Sequence, residues 1–370
     1  YAGYREMHNP GKGGAETADE VMPTAIEWLE THGQEDEWFL HVNVWDPHTP
    51  YRTPMEHGNP FEDDPLPAWL TEEVRQRTWD SFGPHSAQEP MGYEPRDVSD
   101  RFPRVPEQID SMASLKQWID GYDTGIWYAD LWVGKLMDAM ESLGILDETV
   151  IVVSSDHAEA QGEFDIWGDH QTADHVVCRI PLLIRWPGVT DGGRVDDALH
   201  YHFDWAATLI EMVGGEIPEN WEGKSFADAF KAGESEGRPY LVLSQGAWSV
   251  QRGVRFNHEG DAYICLRTYH DGHKNMEPVM LFNLSEDPHE QHDLSEIRPE
   301  LVDKAMGMLA DWQHTMMLHS RTNVDPLMTV LREGGPSHTR GRLSPYLERL
   351  RATGRAHHAE RLEALHPDEV

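Results

Sequence analysis

Positive charge is scarce in this sequence. Against 66 acidic residues stand 30 basic ones, only seven of them lysine, for a net charge of −36. A chain so acidic repels nucleic acid and anionic membrane surfaces, which excludes both as general partners. Cysteine is scarcer still. Cys178 and Cys265 cannot make a disulfide framework, and both sit in apolar surroundings that read as buried thiols. No apolar run approaches the ~20 residues that a membrane-spanning helix needs. The chain opens on Tyr1 rather than Met, so the sequence leaves leader, compartment and oligomeric state open.

What is present suits a globular protein. Hydrophobic residues make up 39% and aromatics 9%, enough to bury a sizeable core in one large domain with a smaller lobe. The surplus carboxylates serve solubility or a high-salt habitat, and composition leaves both open.

Along the chain, residues 18–31 predict a helix, with Val21, Ala25, Trp28 and Leu29 at helical spacing. Residues 38–45 read as a buried strand running into the turn Asp46-Pro47-His48-Thr49-Pro50-Tyr51. Residues 52–110, rich in Pro, Gly and charge, read as a long excursion over the surface. The clearest helix covers 118–143. Its expected apolar stripe is Ile126, Ala129, Val133, Leu136, Met140 and Leu143, and Gly144 ends it. The run 149–154 predicts a central parallel strand, 181–186 another, and 204–213 a helix. This alternation implies an α/β fold with a parallel or mixed sheet between helices. Beyond about residue 238 the pattern changes to short antiparallel strands at 240–244, 249–256, 261–267 and 279–283, then a helix over 298–316. The tail from 320 is polar, with one amphipathic helix near 342–352 built on Leu343, Tyr346, Leu347 and Leu350. The expected partition is 1–237, 238–318 and 319–370.

Ligands of open α/β sheets gather beyond the C-terminal ends of the strands. Three polar pairs fall at or near such ends: Asp46/His48, Asp156/His157 and Asp169/His170. Adjacent Asp and His on a tight turn can both face one metal ion. Oxygen alone favours Ca²⁺ or Mg²⁺, and an added nitrogen moves preference toward Mn²⁺ or Zn²⁺. The pairs His200/His202, His270/His273, His289/His292 and His357/His358 read as incidental, because 22 histidines make chance pairs common.

The order of motifs is more specific than any one pair. Tyr128-x-Asp130-x-x-x-Gly134 is followed by Gly144-x-x-Asp147-x-Thr149, an apolar strand, and Ser155-Asp156-His157. Gly162-Glu163, Arg179-x-Pro181 and Pro187-Gly188 come next. Upstream stands Pro47-His48-x-Pro50, and downstream Leu281-Phe-Asn-Leu-Ser-Glu-Asp287-Pro-His-Glu290 with Asp293-Leu294. Over roughly residues 1–315 this order resembles the sulfatase family of the alkaline phosphatase superfamily.

The resemblance implies a mostly parallel alkaline-phosphatase-like sheet sandwiched by helices, then a small antiparallel sheet with a helix. It implies sulfuric ester hydrolysis on a small-molecule or glycan sulfate. Asp156 and His157 match the late metal ligands of the family, for Ca²⁺ first and Mn²⁺ or Mg²⁺ as alternatives. His48 matches the histidine that contacts the sulfate and protonates the leaving oxygen. His170 stands about where many sulfatases carry a sulfate-binding lysine, with Asp169 as the other candidate at that position. Trp45 and Trp167, beside these residues, are candidates to line a substrate pocket. Ala158 replaces the usual glycine. No Cys/Ser-x-Pro-x-Arg motif, the source of the family's formylglycine nucleophile, occurs in the 370 residues. The nucleophile and the early metal aspartates are therefore expected upstream of Tyr1, and residues 1–370 alone are expected to be inactive. A phosphonate monoester or phosphodiester hydrolase of the same superfamily is the first alternative, and a non-catalytic metal- or glycan-binding relative the second.

Overall fold

The computed structural model describes residues 3–14, 16–94, 100–190, 192–231, 233 and 236–370. In chain order the helices are α1 (Ala18–His32), α2 (Glu72–Trp79), α3 (Met112–Leu143), α4 (His175–Cys178), α5 (His202–Met212), α6 (Ala227–Lys231), α7 (Pro299–His319), α8 (Pro326–Arg332), α9 (Leu343–Ala352) and α10 (Ala356–Leu365). The strands are β1 (Ile151–Ser154), β2 (Ala160–Gln161), β3 (Trp167–Asp169), β4 (Leu182–Arg185), β5 (Tyr240–Gln245), β6 (Val250–His258), β7 (Asp261–His270) and β8 (Val279–Asn283). The chain divides into two compact units: Tyr1–Val150 with Asp165–Asp169, and Ile151–Phe164 with His170–Val370.

In the first unit α1 packs on α3. The N-terminus of α1 is closed by Glu20, whose carboxylate accepts the Thr17 N–H at 3.2 Å. Helix α3 starts earlier than its apolar periodicity suggests, because Ser111 caps it by accepting the Ser114 N–H at 3.2 Å. Gly144 ends it in the left-handed region, at φ 73°. Its buried face also differs from the expected stripe. Ile126 is 46% exposed and only Met140 of that stripe is buried, whereas Leu115, Trp118, Gly121, Gly125 and Tyr128 face inward. Two glycines on the buried face permit a close approach that a stripe of large residues forbids. A Cβ at Gly121 would stand 2.6 Å from the Tyr51 ring, and one at Gly125 2.8 Å from the Pro47 Cβ.

Two further expectations for this unit need correction. Residues 38–45 form no strand among the described residues and are mostly half-exposed, because their apolar alternation finds no ladder to join. The 52–110 stretch lies only in part over the surface: residues 54–69 are exposed or half-exposed, and later ones turn inward. It contains α2, and residues 81–87 are buried throughout. Leu70, Ala87, Val105 and Ile109 join Tyr51, Trp118 and Trp167 in the core of the unit. The main chain of this segment is satisfied locally, as in Ile109 N–H to Ala87 O at 2.9 Å.

In the second unit β1 and β4 pair antiparallel, Ile151 opposite Arg185 and Ser154 opposite Leu182. The expected central strand therefore exists, but its described pairing is not parallel. An apolar run encodes burial and carries no direction. Its burial is also partial: Val152 and Val153 are each 37% exposed and Leu183 60%. The four-stranded meander β5–β6–β7–β8 matches the reading of 240–283 in number and antiparallel sense. Leu301, Ala305 and Leu309 of α7 close its apolar face over Val242, Val254, Phe256, Cys265 and Leu281. Each such fully buried aliphatic side chain stabilises the unit by roughly 1.5–3 kcal/mol relative to exposure. Cys265 is buried as expected, while Cys178 is only half-buried.

The tail holds three helices where one was expected. Helix α9 buries the four named residues Leu343, Tyr346, Leu347 and Leu350 and packs on α10. Helix α8 begins on Asp325, whose carboxylate accepts the Leu327 N–H at 2.9 Å and pairs with Arg252 at 2.7 Å. No helix of the described residues is long and apolar enough to cross a membrane.

Candidate metal and substrate residues

In the first unit the 45–51 turn is clamped from several sides. The Asp46 carboxylate accepts the Ala18 N–H at 2.8 Å, at the positive end of α1. Burial pushes the Asp46 carboxyl up to about 6, against the opposing pull of that N–H and of Arg52. Pro47 rests on Gly125, and the Thr49 hydroxyl donates to the Gly168 carbonyl at 2.7 Å. Gly168 has φ +64°, and a Cβ there would stand 2.4 Å from Thr49 Cγ2, so only glycine fits.

These contacts fix His48. Its N–H donates to the Trp45 carbonyl at 2.9 Å, and its ring stacks on the Trp45 indole at 4.8 Å. His48 Nδ1 lies 2.7 Å from the Thr49 carbonyl, which accepts only if Nδ1 carries the hydrogen. The side chain's acid–base function therefore falls on Nε2. Asp169 lies in the same unit as half of a buried pair, with His85 Nε2 2.9 Å from its carboxylate. Trp167 is fully buried in the core of the unit, while Trp45 is half-buried beside His48.

In the second unit Asp156 and His157 follow β1 on a tight turn. Asp156 Oδ1 accepts the His157 N–H at 3.0 Å, and Oδ2 lies 3.8 Å from His157 Nε2. The Asp156 side chain is 90% exposed. His157 Nδ1 lies 3.1 Å from the Ala158 carbonyl, which places the ring hydrogen on Nδ1 and the lone pair on Nε2. A carboxylate oxygen and an imidazole nitrogen on adjacent residues, with the nitrogen's tautomer held by a backbone carbonyl, suit a divalent cation. Ala158 is not among the residues of positive φ, so the usual glycine is not required at this turn.

The His170 ring stacks on that of His157 at 3.7 Å and 20°. Asp169 pairs with His85, and Asp174 caps α4 by accepting the Val177 N–H at 3.0 Å. The small sheet supports the His170 loop. Gln245 donates to the His170 carbonyl at 2.7 Å, Ser249 to the Gln171 carbonyl at 2.7 Å, and Ala173 N–H to Gln251 at 3.1 Å. A Cβ at Gly253 would stand 2.2 Å from the Ala173 carbonyl.

Below α4 lie three carboxylic acids. Glu290 accepts the His175 N–H at 3.0 Å, and Glu163 faces His289 Nδ1 at 2.8 Å. Burial raises Asp174 to about 6 and Glu290 well above the usual carboxylate range, with mutual repulsion adding to both shifts. Burial, with Arg255 and Arg179 nearby, lowers His175 to about 4. The Asp287-Pro-His-Glu290 block thus anchors the loop that carries His170. The sequence singled out that block without assigning it this work. His85 was missed altogether, since a lone histidine in a Gly-Pro-His turn carries no periodic signal.

Comparison with known proteins accords with this motif order. The sulfatase family profile matches residues 3–215, and the C-terminal profile of N-sulphoglucosamine sulphohydrolase matches 162–306. An N-acetylglucosamine-6-O-sulfatase of Bacteroides thetaiotaomicron is 23% identical over 223 residues, covering 59% of this chain and 39% of that protein. A choline-sulfatase of Rhizobium meliloti is 26% identical over 327 residues, covering 82% and 56%. The chain thus spans roughly half the length of these relatives or less. A protein solved in complex with its substrate D-glucosamine-2-N,6-O-disulfate shares the fold at a TM-score of 0.63 and 18% identity, over 80% of this chain and 69% of that one. This chain has an α/β fold and belongs to the sulfatase family.

Proposed function

We propose that the chain is part of a sulfuric ester hydrolase acting on a sulfated sugar or another small sulfate ester. Family membership and the relatives' names support the reaction class. The observation that carries the proposal is the Asp156–His157 turn, with its lone pair directed to Nε2 and His170 stacked beside it.

Asp156 and His157 are the residues that would hold a divalent cation, Ca²⁺ by the family pattern, with Mn²⁺ or Mg²⁺ as alternatives. Such a cation supplies charge against the sulfate oxygens and lowers the pKa of a nucleophile. His48 gives its Nε2 proton to the departing alcohol oxygen, while the Thr49 carbonyl and the Trp45 indole hold the ring in place. His170 donates to a sulfuryl oxygen in the role of the family's lysine. Trp45 and Asp169 are proposed to border the substrate. Trp167 is proposed to act from the core, by supporting Gly168. The nucleophile is proposed to be a formylglycine outside the 370 residues, and the coding sequence preceding Tyr1 tests that part directly. Residues 238–318 are proposed as the small C-terminal subdomain.

The test compares an aryl sulfate with an aryl phosphonate as substrates of the full-length enzyme. Faster turnover of the sulfate is expected, lost on chelation and restored by the cation. A large preference for the phosphonate would instead establish the phosphonate monoester hydrolase reading, which rests on histidine rather than asparagine at position 157.

A further inference from the structure

A second group of donors lies in the second unit, apart from the Asp156–His157 turn in sequence and chemistry. His270 ends β7, His273 follows three residues on, and His366 and Glu369 come from the tail beyond α10. One ligand atom from each lies within 4.8 Å of every other. His273 is fully buried, and the side chains of His270 and His366 are 8% and 9% exposed. The turn between the first two needs glycine, because Gly272 has φ +70° and a Cβ there would stand 2.5 Å from the Trp248 carbonyl.

The hydrogen bonds sort the four into ligands and supports. Gly272 N–H donates to His270 Nδ1 at 3.0 Å, so the ring hydrogen of a neutral His270 is on Nε2. That Nε2 lies 2.9 Å from Glu369 Oε1 and orients the carboxylate. His366 Nε2 lies 2.8 Å from the buried Asp271 carboxylate, which leaves Nδ1 turned to Glu369 Oε1 at 3.0 Å. His273 Nε2 lies 3.1 Å from Glu369 Oε2. His273 Nε2 and His366 Nδ1 thus lie 3.1 and 3.0 Å from the two oxygens of one carboxylate, near the edge length of a tetrahedron with ~2.0–2.1 Å metal bonds, and within 4.8 Å of each other. The Asp271–His366 pair has the form in which a carboxylate fixes a metal-binding imidazole.

We propose that His273 Nε2, His366 Nδ1 and the Glu369 carboxylate bind a Zn²⁺ ion that fastens the segment after α10 to the end of β7. His270 and Asp271 hold two of the ligands in orientation, and a water completes the tetrahedron. The ion has no part in ester hydrolysis.

The test uses purified full-length protein, stripped with a chelator and titrated with Zn²⁺ alone. Wild type is expected to take up one equivalent more than Glu369→Gln or His273→Ala, while Asp156→Asn keeps that equivalent. Asp271→Asn should bind it about 10–100-fold more weakly. Zn²⁺ should raise the Tm of wild type and not that of Glu369→Gln. Should His273→Ala fail to fold, Glu369→Gln, a one-atom change on a partly exposed side chain, gives the decision alone. Equal zinc content in wild type and Glu369→Gln would overturn the site. Loss of the same equivalent in Asp156→Asn would also overturn it, while leaving the sulfatase reading untouched.

Discussion

His48 is held on three sides: Trp45 stacks on its ring, the Thr49 carbonyl engages Nδ1, and its own N–H is bonded to the Trp45 carbonyl. A proton donor so fixed should matter in proportion to how badly the leaving group needs the proton. His48→Gln in the full-length enzyme is expected to lower kcat on a sugar sulfate by about 10²–10⁴-fold. The loss on a nitrophenyl sulfate, whose leaving group departs unprotonated, should be far smaller. Equal losses on both substrates would remove His48 from the acid role. Asp174 makes a different demand. Burial, opposed by Thr172 and the Val177 N–H, raises it to about 6. Between its ordinary value and about pH 6 the folded chain keeps a proton that the unfolded chain has released. This group therefore favours folding at low pH, and the contribution is lost as pH rises through about 6. Asp174→Asn keeps an acceptor for the cap and cannot ionise. Its stability relative to wild type should improve by up to about 3 kcal/mol from about pH 4 to about pH 7. Denaturant unfolding at both pH values reads this, and a pH-independent difference would refute it. At this scale the sequence reveals chemistry where partners are neighbours, as with Asp156 and His157. It hides His85 with Asp169 and His270 with Glu369, the latter 99 positions apart, because only the fold brings them together.

Helices and strands were legible wherever periodicity was strong. Helices α1, α5, α7 and α9 and the four strands β5–β8 fall where the pattern places them. Misreadings share one cause: composition reports how polar a segment is, and partners decide whether it is buried. The 81–87 stretch, within a segment rich in Pro, Gly and charge, packs inside, and the apolar 38–45 stretch finds no ladder among the described residues. Helix α3 offers a paired test of the glycine face. Gly125→Ala puts a methyl 2.8 Å from the Pro47 Cβ and should displace the His48 turn, costing about 1–3 kcal/mol by overpacking. Gly134, exposed in the same helix with nothing within 4 Å, should accept alanine with a gain of about 0.5–1 kcal/mol. Thermal unfolding of the two variants in opposite directions is the expected result, and equal shifts would contradict the packing argument.

Over the whole molecule the net charge of −36 sets a background against which every local cation acts. Self-repulsion of this size opposes the compact state and is relieved by screening. Raising NaCl from about 0.1 M to about 1 M shortens the Debye length from roughly 10 Å to roughly 3 Å and should raise the Tm of the protein. A Tm that falls or stays flat over that range would show that the carboxylates are already balanced locally.

The antiparallel sheet, read from sequence as a small subdomain, bears directly on His170: Gln245, Ser249, Gln251 and Gly253 hold the loop that presents it. A genetic screen for lost activity would accordingly return alleles in 245–253, far along the gene from Asp156. Their phenotypes would be mistaken for folding defects unless binding and turnover were scored separately.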